Sequence, residues 1–285
     1  MEFEQGKELR ELSTFGIGGP ARYFIIVHSI EEASSILRYA HVQSLPVLII
    51  GKGSNSLFDD RGFDGLVILN KINFCTYLPD QVHVGSGFSF SHLGVQSARK
   101  GFSGLEFASG IPASVGGAIY MNAGASGGET ATCLQSVTFI TELGEVVEIS
   151  KEELTFGYRT SSFQAMQGMI AAARFQLTPS EMARERQLQI IEYRTRTQPY
   201  GEMSCGCVFR NPPGFSAGAL IDQAGLKGYA IGDAQISTVH ANFIINRGKA
   251  TSVDVLSLVT HIQERVREKT GIELEVEIRH ISRLV

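Results

Sequence analysis

The sequence lacks a hydrophobic run long enough to cross a bilayer, because its longest apolar stretches, such as residues 46–50, have only the length of a strand. It opens without a basic stretch followed by an apolar core, so we expect no signal peptide. The four cysteines show neither the spacing of a disulfide framework nor a CxxC metal pair, and we expect reduced thiols in a cytoplasmic protein. The histidines also lack metal-ligand spacing, so we predict no metal site.

A strong excess of charge of one sign is missing as well. The net charge of -4 gives no reason to expect a nucleic acid or an anionic membrane surface as a partner. A hydrophobic fraction of 43% over 285 residues is ordinary for a globular chain, and this length allows one large domain or two to three smaller ones. With no internal repeat and no low-complexity segment, the composition is typical of a soluble enzyme.

Glycine, by contrast, is concentrated in two loops that follow apolar or mixed segments. The first is GKGSNS at 51–56, and the second consists of SGIPASVGGA at 109–118 and MNAGA at 121–125. Glycine tolerates positive φ and carries no side chain, so backbone N–H groups can converge on an anion. The first loop has neither the GxGxxG spacing of a Rossmann turn nor the GxxxxGK spacing of a P-loop, and taken alone it is equally well explained as a tight strand exit. Together they favour a large phosphate-bearing ligand.

The hydrophobic pattern predicts three successive segments. Strands at 23–27, 46–50 and 65–69, with a helix from the N-cap Ser29 to about residue 40, predict a parallel sheet with a ligand at the carboxyl ends of its strands. Next, an α+β lobe that shares the ligand is predicted from a strand at 81–84, a helix at 91–100, a β-hairpin at 137–149 and a strand at 169–177. After a charged connecting helix at 180–196, we predict strands at 207–210, 242–246 and 273–278 and helices at 217–224 and 252–269.

Two single residues offer chemistry with two interpretations each. Arg159 either pairs with a structural carboxylate, which the sequence alone slightly favours, or binds a ligand carboxylate with its planar fork. Cys207 either is an inert small apolar residue, the commoner case, or an acid or nucleophile whose pKa is lowered by Arg210. Cys205 alternates with Cys207 and is expected to point to the opposite face of the predicted strand.

Three acidic residues alternate near the end of the chain. Glu273, Glu275 and Glu277 would share one face of the predicted strand. Such a row is usually solvated, but one carboxylate can instead turn into a cleft as a proton donor or a polarising group. Alternation alone does not choose among the three.

The order of the motifs resembles the UDP-N-acetylenolpyruvoylglucosamine reductase family, also called UDP-N-acetylmuramate dehydrogenases or the MurB family of peptidoglycan synthesis. The matching segments cover nearly the whole chain: 14–21 (TFGIGGPA), 51–55 (GKGSN), 104–107 (GLEF), 110–112 (GIP), 116–118 (GGA), 122–125 (NAGA), 158–159 (YR), 209–212 (FRNP), 224–228 (AGLKG), 240–243 (HANF) and 274–279 (LEVEIR). No single segment is specific, but together and in the family's order they are.

The resemblance implies an α+β fold with a vanillyl-alcohol-oxidase-type (PCMH) FAD-binding domain at 1–178, in lobes of about 1–74 and 75–178, and a C-terminal α+β substrate-binding domain at 179–285. It implies non-covalent FAD, NADPH as the hydride donor and UDP-N-acetylglucosamine enolpyruvate as the substrate. The family's catalytic arginine, proton donor and glutamate fall on Arg159, Cys207 and Glu277. The short segment between Arg159 and Cys207 resembles a compact subclass that lacks an extra loop over the substrate.

The resemblance also implies binding residues. Those for the cofactor are Gly51, Gly53, Ser54, Asn55, Ser56, Ser109, Gly110, Ile111, Pro112, Gly116, Gly117, Asn122, Gly124 and Ala125. Those for the substrate are Tyr158, Arg210 and Asn211. Arg194, Arg196 and Arg210 are candidates for the substrate diphosphate, although each can equally be a surface cation.

Two motifs depart from the family's pattern. Cys207 and Arg210 stand where the family usually has serine and lysine, and Val276 stands where it usually has proline. A thiol, with an ordinary pKa of about 8.5, gives up a proton more readily than an aliphatic hydroxyl, so Cys207 can fill the role of the acid. The valine leaves the identity of Glu277 intact but puts its geometry in question.

Two other functions compete with a flavin-dependent reductase. An alcohol or sugar oxidase of the same superfamily commonly tethers its flavin to a histidine near the first glycine loop, and no histidine lies between His41 and His83. A flavin-binding or nucleotide-sugar-binding module without turnover would not need Arg159, Cys207 and Glu277 together, which speaks weakly against it.

Overall fold

The helices of the computed structural model, which describes residues 2–283, account for most of the helices predicted above. Met1, Leu284 and Val285, which the predicted domains include, lie outside the described residues. The α-helices are α1 (Ile30–Val42), α2 (Phe90–Arg99), α3 (Val115–Tyr120), α4 (Thr130–Cys133), α5 (Ala183–Thr197), α6 (Ala217–Gln223) and α7 (Ser252–Thr270). Short 3-10 helices lie at Leu9–Leu12, Glu106–Ala108, Lys151–Glu153 and Ser162–Gln164.

The strands range from long central strands to two-residue pairs. They are β1 (Lys7–Glu8), β2 (Pro20–Val27), β3 (Val47–Ile50), β4 (Ser56–Phe58), β5 (Phe63–Asn70), β6 (Cys75–Tyr77), β7 (Gln81–Gly85), β8 (Phe102–Ser103), β9 (Gly124–Ala125), β10 (Gly128–Glu129), β11 (Leu134–Thr141), β12 (Val146–Ser150), β13 (Phe156–Gly157), β14 (Thr160–Ser161), β15 (Gly168–Gln176), β16 (Thr178–Pro179), β17 (Ser204–Cys207), β18 (Ala230–Ile231), β19 (Ala234–Ile236), β20 (Phe243–Asn246) and β21 (Arg279–Ile281).

The chain packs as two compact units, each built from separate stretches of sequence. The first unit comprises Met1–Tyr23, Gly53–Asp64 and Thr195–Val285, and the second comprises Phe24–Lys52 and Gly65–Arg194. The chain passes between the units within the first glycine loop, after Lys52. These units describe packing, and the functional division after residue 178 stays a prediction.

The second unit contains the predicted parallel strands. Strands β3 and β5 pair in parallel from Val47–Leu66 to Ile50–Leu69, and β2 lies on the other side of β5. The Ser29 side chain accepts the backbone N–H of Glu32 and so caps α1, as the sequence predicted. The carboxyl end of β3 therefore delivers the chain directly into Gly51.

A five-stranded antiparallel sheet forms the rest of this unit, in the order β12-β11-β15-β7-β6. The predicted hairpin is confirmed, because β11 and β12 pair in antiparallel orientation from Ser136–Ser150 to Ile140–Val146. Helices α2 and α3 belong to the same core, where the ring of Phe90 lies 5.9 Å from that of Phe107 and 6.5 Å from that of Phe175. Val115 and Ala118 of the second glycine loop are members of this core, which therefore anchors the loop.

The first unit has its own sheet, in the order β17-β20-β19-β18, and its own core with α6 and α7. Helix α7 begins at a capping box formed by Thr251 and Asp254 and ends at Gly271, whose φ of 72° allows the left-handed turn. Strand β21 pairs in parallel with β4, placing Arg279 opposite Ser56. The segment that follows the first glycine loop is thereby tied to the end of the chain.

Two predicted strands of this unit were misplaced. The strand predicted at 207–210 instead ends at Cys207. Its pairing with β20 has a bulge at Gly206, whose φ is 82°, and beyond Cys207 both backbone polar groups of Phe209 bond to the side chain of Asn242. The strand predicted at 273–278 shows alternating burial, with Leu274 buried and Glu275 exposed, but only Val276 in it forms a bridge, to Phe209. Alternating hydrophobicity in the sequence shows only that one face of the segment is buried and the other exposed. A strand also needs a neighbouring strand to pair with along its length.

Candidate active site

In the second unit, the first glycine loop meets the beginnings of two helices. A Cβ at Gly51 would collide with the side-chain oxygen of Ser114, so only glycine allows this approach. Ser114 caps α3 by accepting the N–H of Gly117 at 3.3 Å. Ser89 caps α2, and it also accepts a hydrogen bond of 2.9 Å from Nζ of Lys52. Ser89 and Ser114 are themselves joined by an isolated antiparallel bridge.

The electrostatics of this place favour an anion. The amino ends of helices carry partial positive charge, and Lys52 adds a full charge beside the first turn of α2. The side chain of Lys52 is exposed, yet the atoms around its Nζ desolvate it and so lower its pKa, and the positive charge of Lys71 acts in the same direction. Both effects disfavour the isolated cation, so an anionic ligand would relieve them.

The predicted cofactor residues of this unit fall into an accessible set and a buried set. The accessible residues are Gly51, Gly110, Ile111, Pro112, Gly117, Gly124 and Ala125. Ser109, Gly116 and Asn122 are buried. Gly116 donates to the carbonyl of Ser86 at 2.8 Å, and the Asn122 amide bonds to Gly157 O and Ala131 N at 2.9 and 3.0 Å. These two residues hold the loop in shape.

The Gly110 turn is fixed from both sides. Its N–H donates to Oγ of Ser91 at 2.8 Å, and its carbonyl accepts from Nη2 of Arg194 at 3.1 Å. Arg194, a candidate for the substrate diphosphate, therefore contacts the second glycine loop. Ser109 Oγ is fully buried without a hydrogen-bond partner among the described residues, so it is inaccessible to a ligand in this conformation.

Arg159 occupies the turn between β13 and β14 with an unusual backbone. Its φ of 58° lies in the left-handed region, which costs a non-glycine residue roughly 1 kcal/mol. Its Nη2 donates to the carbonyl of Gly124 at 3.0 Å, and its guanidinium lies 4.8 Å from the centre of the Tyr158 ring. The arginine is thus directed to the end of the second glycine loop.

In the first unit, the bulge at Gly206 sets the position of Cys207. Cys207 is the last residue of β17, pairs with Phe243 and is half-buried. Cys205 is buried in the core, and burial raises the pKa of its thiol. The two thiols therefore differ in environment, and Cys207 is the accessible one.

Glu277 is joined to the segment that carries Cys207. Its N–H donates to the carbonyl of Val208 at 2.7 Å, and its own carbonyl accepts from Nδ2 of Asn55 at 3.4 Å. The carbonyl of Asn55 in turn accepts the N–H of Arg279 at 2.9 Å. Three predicted site residues, one from the first glycine loop, are therefore brought together within this unit. Of the loop's other predicted residues here, Gly53 is buried against Leu12, and Ser54 and Ser56 are half-buried.

The valine at 276 is compatible with this arrangement. Val276 faces Phe209 in a bridge made by two hydrogen bonds, Arg210 N to Glu275 O at 2.9 Å and Glu277 N to Val208 O at 2.7 Å. Neither bond uses the N–H of Val276. A proline, which lacks that group, and a valine therefore satisfy the same bridge.

Of the remaining predicted substrate residues, Arg210 and Asn211 have structural partners. Nη1 of Arg210 lies 2.7 Å from Oε1 of Glu275, while its Nε is buried without a hydrogen-bond partner in the described chain. Oδ1 of Asn211 accepts the N–H of Ala217 at the start of α6. Tyr158 and Arg196 are exposed.

Sequence reasoning missed three residues of this arrangement. Ser89 caps α2, although the helix was predicted to begin at Ser91, and the serine two residues earlier was the available signal. Lys52 stood within the glycine loop but was assigned no role. Asn242, buried beside Phe209, gave no signal beyond its place in the HANF motif.

No helix within residues 2–283 is long and apolar enough to span a membrane. In the same range, no group of three or more histidine, cysteine, aspartate or glutamate side chains is arranged to hold a metal ion.

Two family models match separate parts of the chain. Residues 21–150 match the FAD binding domain model, and residues 198–281 match the model for the C-terminal domain of UDP-N-acetylenolpyruvoylglucosamine reductase.

Relatives match over nearly their whole length. A UDP-N-acetylenolpyruvoylglucosamine reductase of Protochlamydia amoebophila is 58% identical over 96% of this chain and 92% of its own. One of Chlamydia muridarum is 52% identical, over 98% and 94%. The crystal structure of UDP-N-acetylenolpyruvylglucosamine reductase (MurB) from Thermus caldophilus superimposes with a TM-score of 0.84 at 39% identity, covering 98% of this chain and 99% of that one.

Proposed function

Because the chain belongs to the UDP-N-acetylenolpyruvoylglucosamine reductase family, we propose that it reduces UDP-N-acetylglucosamine enolpyruvate to UDP-N-acetylmuramate with FAD and NADPH. The reaction is a step of peptidoglycan precursor synthesis. The observation that carries this proposal is the match to reductases of this name over nearly the full length of both chains. It covers the FAD-binding part and the C-terminal part alike.

The residues of the second unit fit FAD. The cofactor's diphosphate is a large anion, and the cradle at Gly51, where a Cβ would collide with Ser114, lies beside Lys52 and the first turn of α2. The accessible glycines and small residues of both loops would contact the cofactor, and the buried Gly116 and Asn122 would hold the second loop in shape. Bound FAD, once reduced by NADPH, supplies the hydride for the substrate.

Arg159 and Glu277 would act on the substrate carboxylate. Hydride addition to a carbon–carbon double bond is slow unless the developing enolate is stabilised. The guanidinium of Arg159 supplies positive charge, and Glu277 supplies a hydrogen-bond donor if its carboxyl is protonated. The left-handed backbone of Arg159 and its contacts with Gly124 and Tyr158 restrict the conformations of this side chain before substrate arrives.

Cys207 would donate the proton that completes the reduction. It is the accessible thiol of the pair at 205 and 207, and it adjoins Val208, to which Glu277 is bonded. Tyr158, Arg210 and Asn211 would contribute to substrate binding, and Arg194 and Arg196 are further candidates for the diphosphate. Such an enzyme would work in the cytoplasm, where its thiols stay reduced.

One spectrum of the purified protein tests this function. The protein should show oxidised-flavin absorbance that bleaches with NADPH under anaerobic conditions and returns when UDP-N-acetylglucosamine enolpyruvate is added. UDP-N-acetylglucosamine, which lacks the enolpyruvyl group, serves as the control. A flavin that stays bleached with the enolpyruvyl nucleotide sugar would contradict the proposal.

A further inference from the structure

Asn242 is a buried amide that replaces a backbone partner. Its side chain, 3% exposed, donates from Nδ2 to the carbonyl of Phe209 at 2.8 Å and accepts the N–H of Phe209 on Oδ1 at 2.9 Å. The backbone N–H and carbonyl of Phe209 are thus both hydrogen-bonded to the side-chain amide of Asn242. Asn242 immediately precedes β20, so its side chain continues the pairing of β17 with β20 past the point where the strands end.

The main chain of Asn242 supports the same segment. Its carbonyl accepts the N–H of Val208 at 2.8 Å, and its N–H donates to Nδ1 of His240 at 3.2 Å. Residues 208 and 209 are therefore held at three points by a single asparagine. The neighbour on the other side is Glu277, which bonds to the carbonyl of Val208.

The consequence concerns two residues of the proposed mechanism. Cys207 directly precedes the segment 208–209 that Asn242 holds, and the N–H of Glu277 donates to the carbonyl of Val208 in that segment. The position of Cys207 relative to Glu277 therefore depends on residues 208 and 209. We propose that Asn242 is the positioning residue that fixes Cys207 relative to Glu277 for the protonation half of the reaction. The catalytic meaning of this inference rests on the function proposed above; its structural meaning does not.

Isosteric replacement of Asn242 tests its hydrogen bonds to Phe209 with little change in side-chain volume. In Asn242→Asp the carboxylate form still accepts from Phe209 N–H but repels the Phe209 carbonyl oxygen, whereas the protonated form can still donate to it. Burial raises the pKa of an aspartate, so both measurements are made over a pH series, and the effects expected below are those at the alkaline end, where the carboxyl is ionised. The last residue of β20, Asn246, is a matched control, because it is also 3% exposed. Its amide bonds to Phe15 O at 3.0 Å and to the N–H groups of Gly248 and Ala250 at 2.8 and 3.0 Å, and so supports a different loop. Asn246→Asp therefore removes an equally buried donor at another place.

The first measurement separates the half-reactions by stopped-flow absorbance. We expect Asn242→Asp to leave flavin reduction by NADPH within twofold of wild type and to slow flavin reoxidation by the enolpyruvyl nucleotide sugar at least tenfold. Asn246→Asp should lose similar thermal stability with both half-reactions within twofold of wild type. If Asn242→Asp does not yield folded protein, Asn242→Ser, which leaves room for a bridging water, takes its place with the same expectations.

The second measurement needs neither cofactor nor substrate. Iodoacetamide labelling, mapped to individual cysteines by mass spectrometry, should modify Cys207 at least fivefold faster in Asn242→Asp than in wild type or Asn246→Asp, because the released segment exposes the thiol. Protein that labels this way but never turns over would refute the proposed function and keep the structural inference. The inference is overturned if Asn242→Asp stays within twofold of wild type in both measurements, or if Asn246→Asp reproduces its changes.

Discussion

The N–H of Glu277 and the carbonyl of Val208 form a hydrogen bond of 2.7 Å, so the glutamate is bonded to the residue that directly follows Cys207. The chain separates these residues widely, and the bridge between Phe209 and Val276 brings them together. The role proposed for Cys207 can be tested separately from flavin reduction, because the proposed reaction runs in two halves and only the second needs a proton donor.

Cys207→Ala should leave flavin reduction by NADPH nearly intact. It should slow the second half-reaction by roughly two to four orders of magnitude, the usual contribution of a positioned general acid. Cys207→Ser should recover much of that rate, because a hydroxyl delivers a proton from a similar position. Stopped-flow measurement of each half separately decides this. Cys75→Ala, which changes another half-buried thiol, is the control. If Cys207→Ala turned over within a few-fold of wild type, the proton would come from another group.

Arg159→Lys should retain FAD and its reduction by NADPH. Lysine keeps the charge but loses the planar fork, so the second half-reaction should lose about 3 kcal/mol of transition-state stabilisation, as for loss of one anion-stabilising donor. Flavin content and the rates of both halves are the measurements. A collapse of flavin loading would show that Arg159 has a structural role instead.

Gly51→Ala should reduce the flavin content of purified protein. The new methyl group would collide with the side chain of Ser114, so either the loop at the end of β3 or the serine that caps α3 would have to move. The double variant Gly51→Ala with Ser114→Gly removes the obstructing side chain and should regain part of the flavin, at a cost of only a few tenths of a kcal/mol, because glycine is itself a tolerated helix N-cap. Flavin per protein, measured by absorbance, checks both variants. Equal loading of Gly51→Ala and wild type would refute the steric argument.

FAD should be released completely when the protein is denatured with acid. No histidine lies between His41 and His83, so the segment around the first glycine loop lacks the usual residue for a covalent tether. The absorbance of the supernatant after precipitation should account for all the flavin. A yellow pellet would contradict the prediction of non-covalent binding.

Asp59→Asn should reduce stability in a pH-dependent way. Oδ1 of Asp59 accepts from N and Nε of Arg61, and Oδ2 lies 2.7 Å from Nη2, so these hydrogen bonds, together with the charge, hold the pKa of Asp59 well below its usual value despite its burial. A pKa lowered on folding stabilises the protein above the unfolded value of about 4, and this contribution is lost as the pH falls toward the folded-state value.

The free energy of unfolding of Asp59→Asn should therefore lie roughly 1–2 kcal/mol below that of wild type at pH 7, a range kept small because the Arg61 side chain is 65% exposed. The difference should shrink steadily below pH about 4. Urea titrations at several pH values measure it. Asp64→Asn, which breaks an exposed pair with Arg22 at 3.4 Å, is the control and should change little. A difference independent of pH would rule out the ion pair as its cause.

Local signals predicted most of the fold. Ser29 capping α1, the hairpin of β11 and β12, and helix α7, predicted at 252–269 and found at Ser252–Thr270, each follow from a pattern within a few residues. The α+β class and the FAD-binding domain are confirmed by the match of residues 21–150 and by the TM-score of 0.84 with a MurB structure.

The misplaced strands depended on distant partners. The strand through Cys207 has a bulge at Gly206 against β20, and past Cys207 the pairing continues through the side chain of Asn242 together with one backbone hydrogen bond, from the N–H of Val208 to the carbonyl of Asn242. Neither fact is encoded within the segment itself. For the same reason, the motifs indicated which residues to consider at the site, whereas the support from Asn242 emerged only from tertiary contacts.

The backbone of Arg159 has an implication for how such a sequence changes over time. Glycine adopts a φ of 58° with less strain than arginine, so a mutagenesis screen for thermal stability should enrich the substitution Arg159→Gly. A screen for growth that depends on cell-wall synthesis should reject it. If Arg159 has the role proposed above, the two screens would place stability and activity in opposition at this one position.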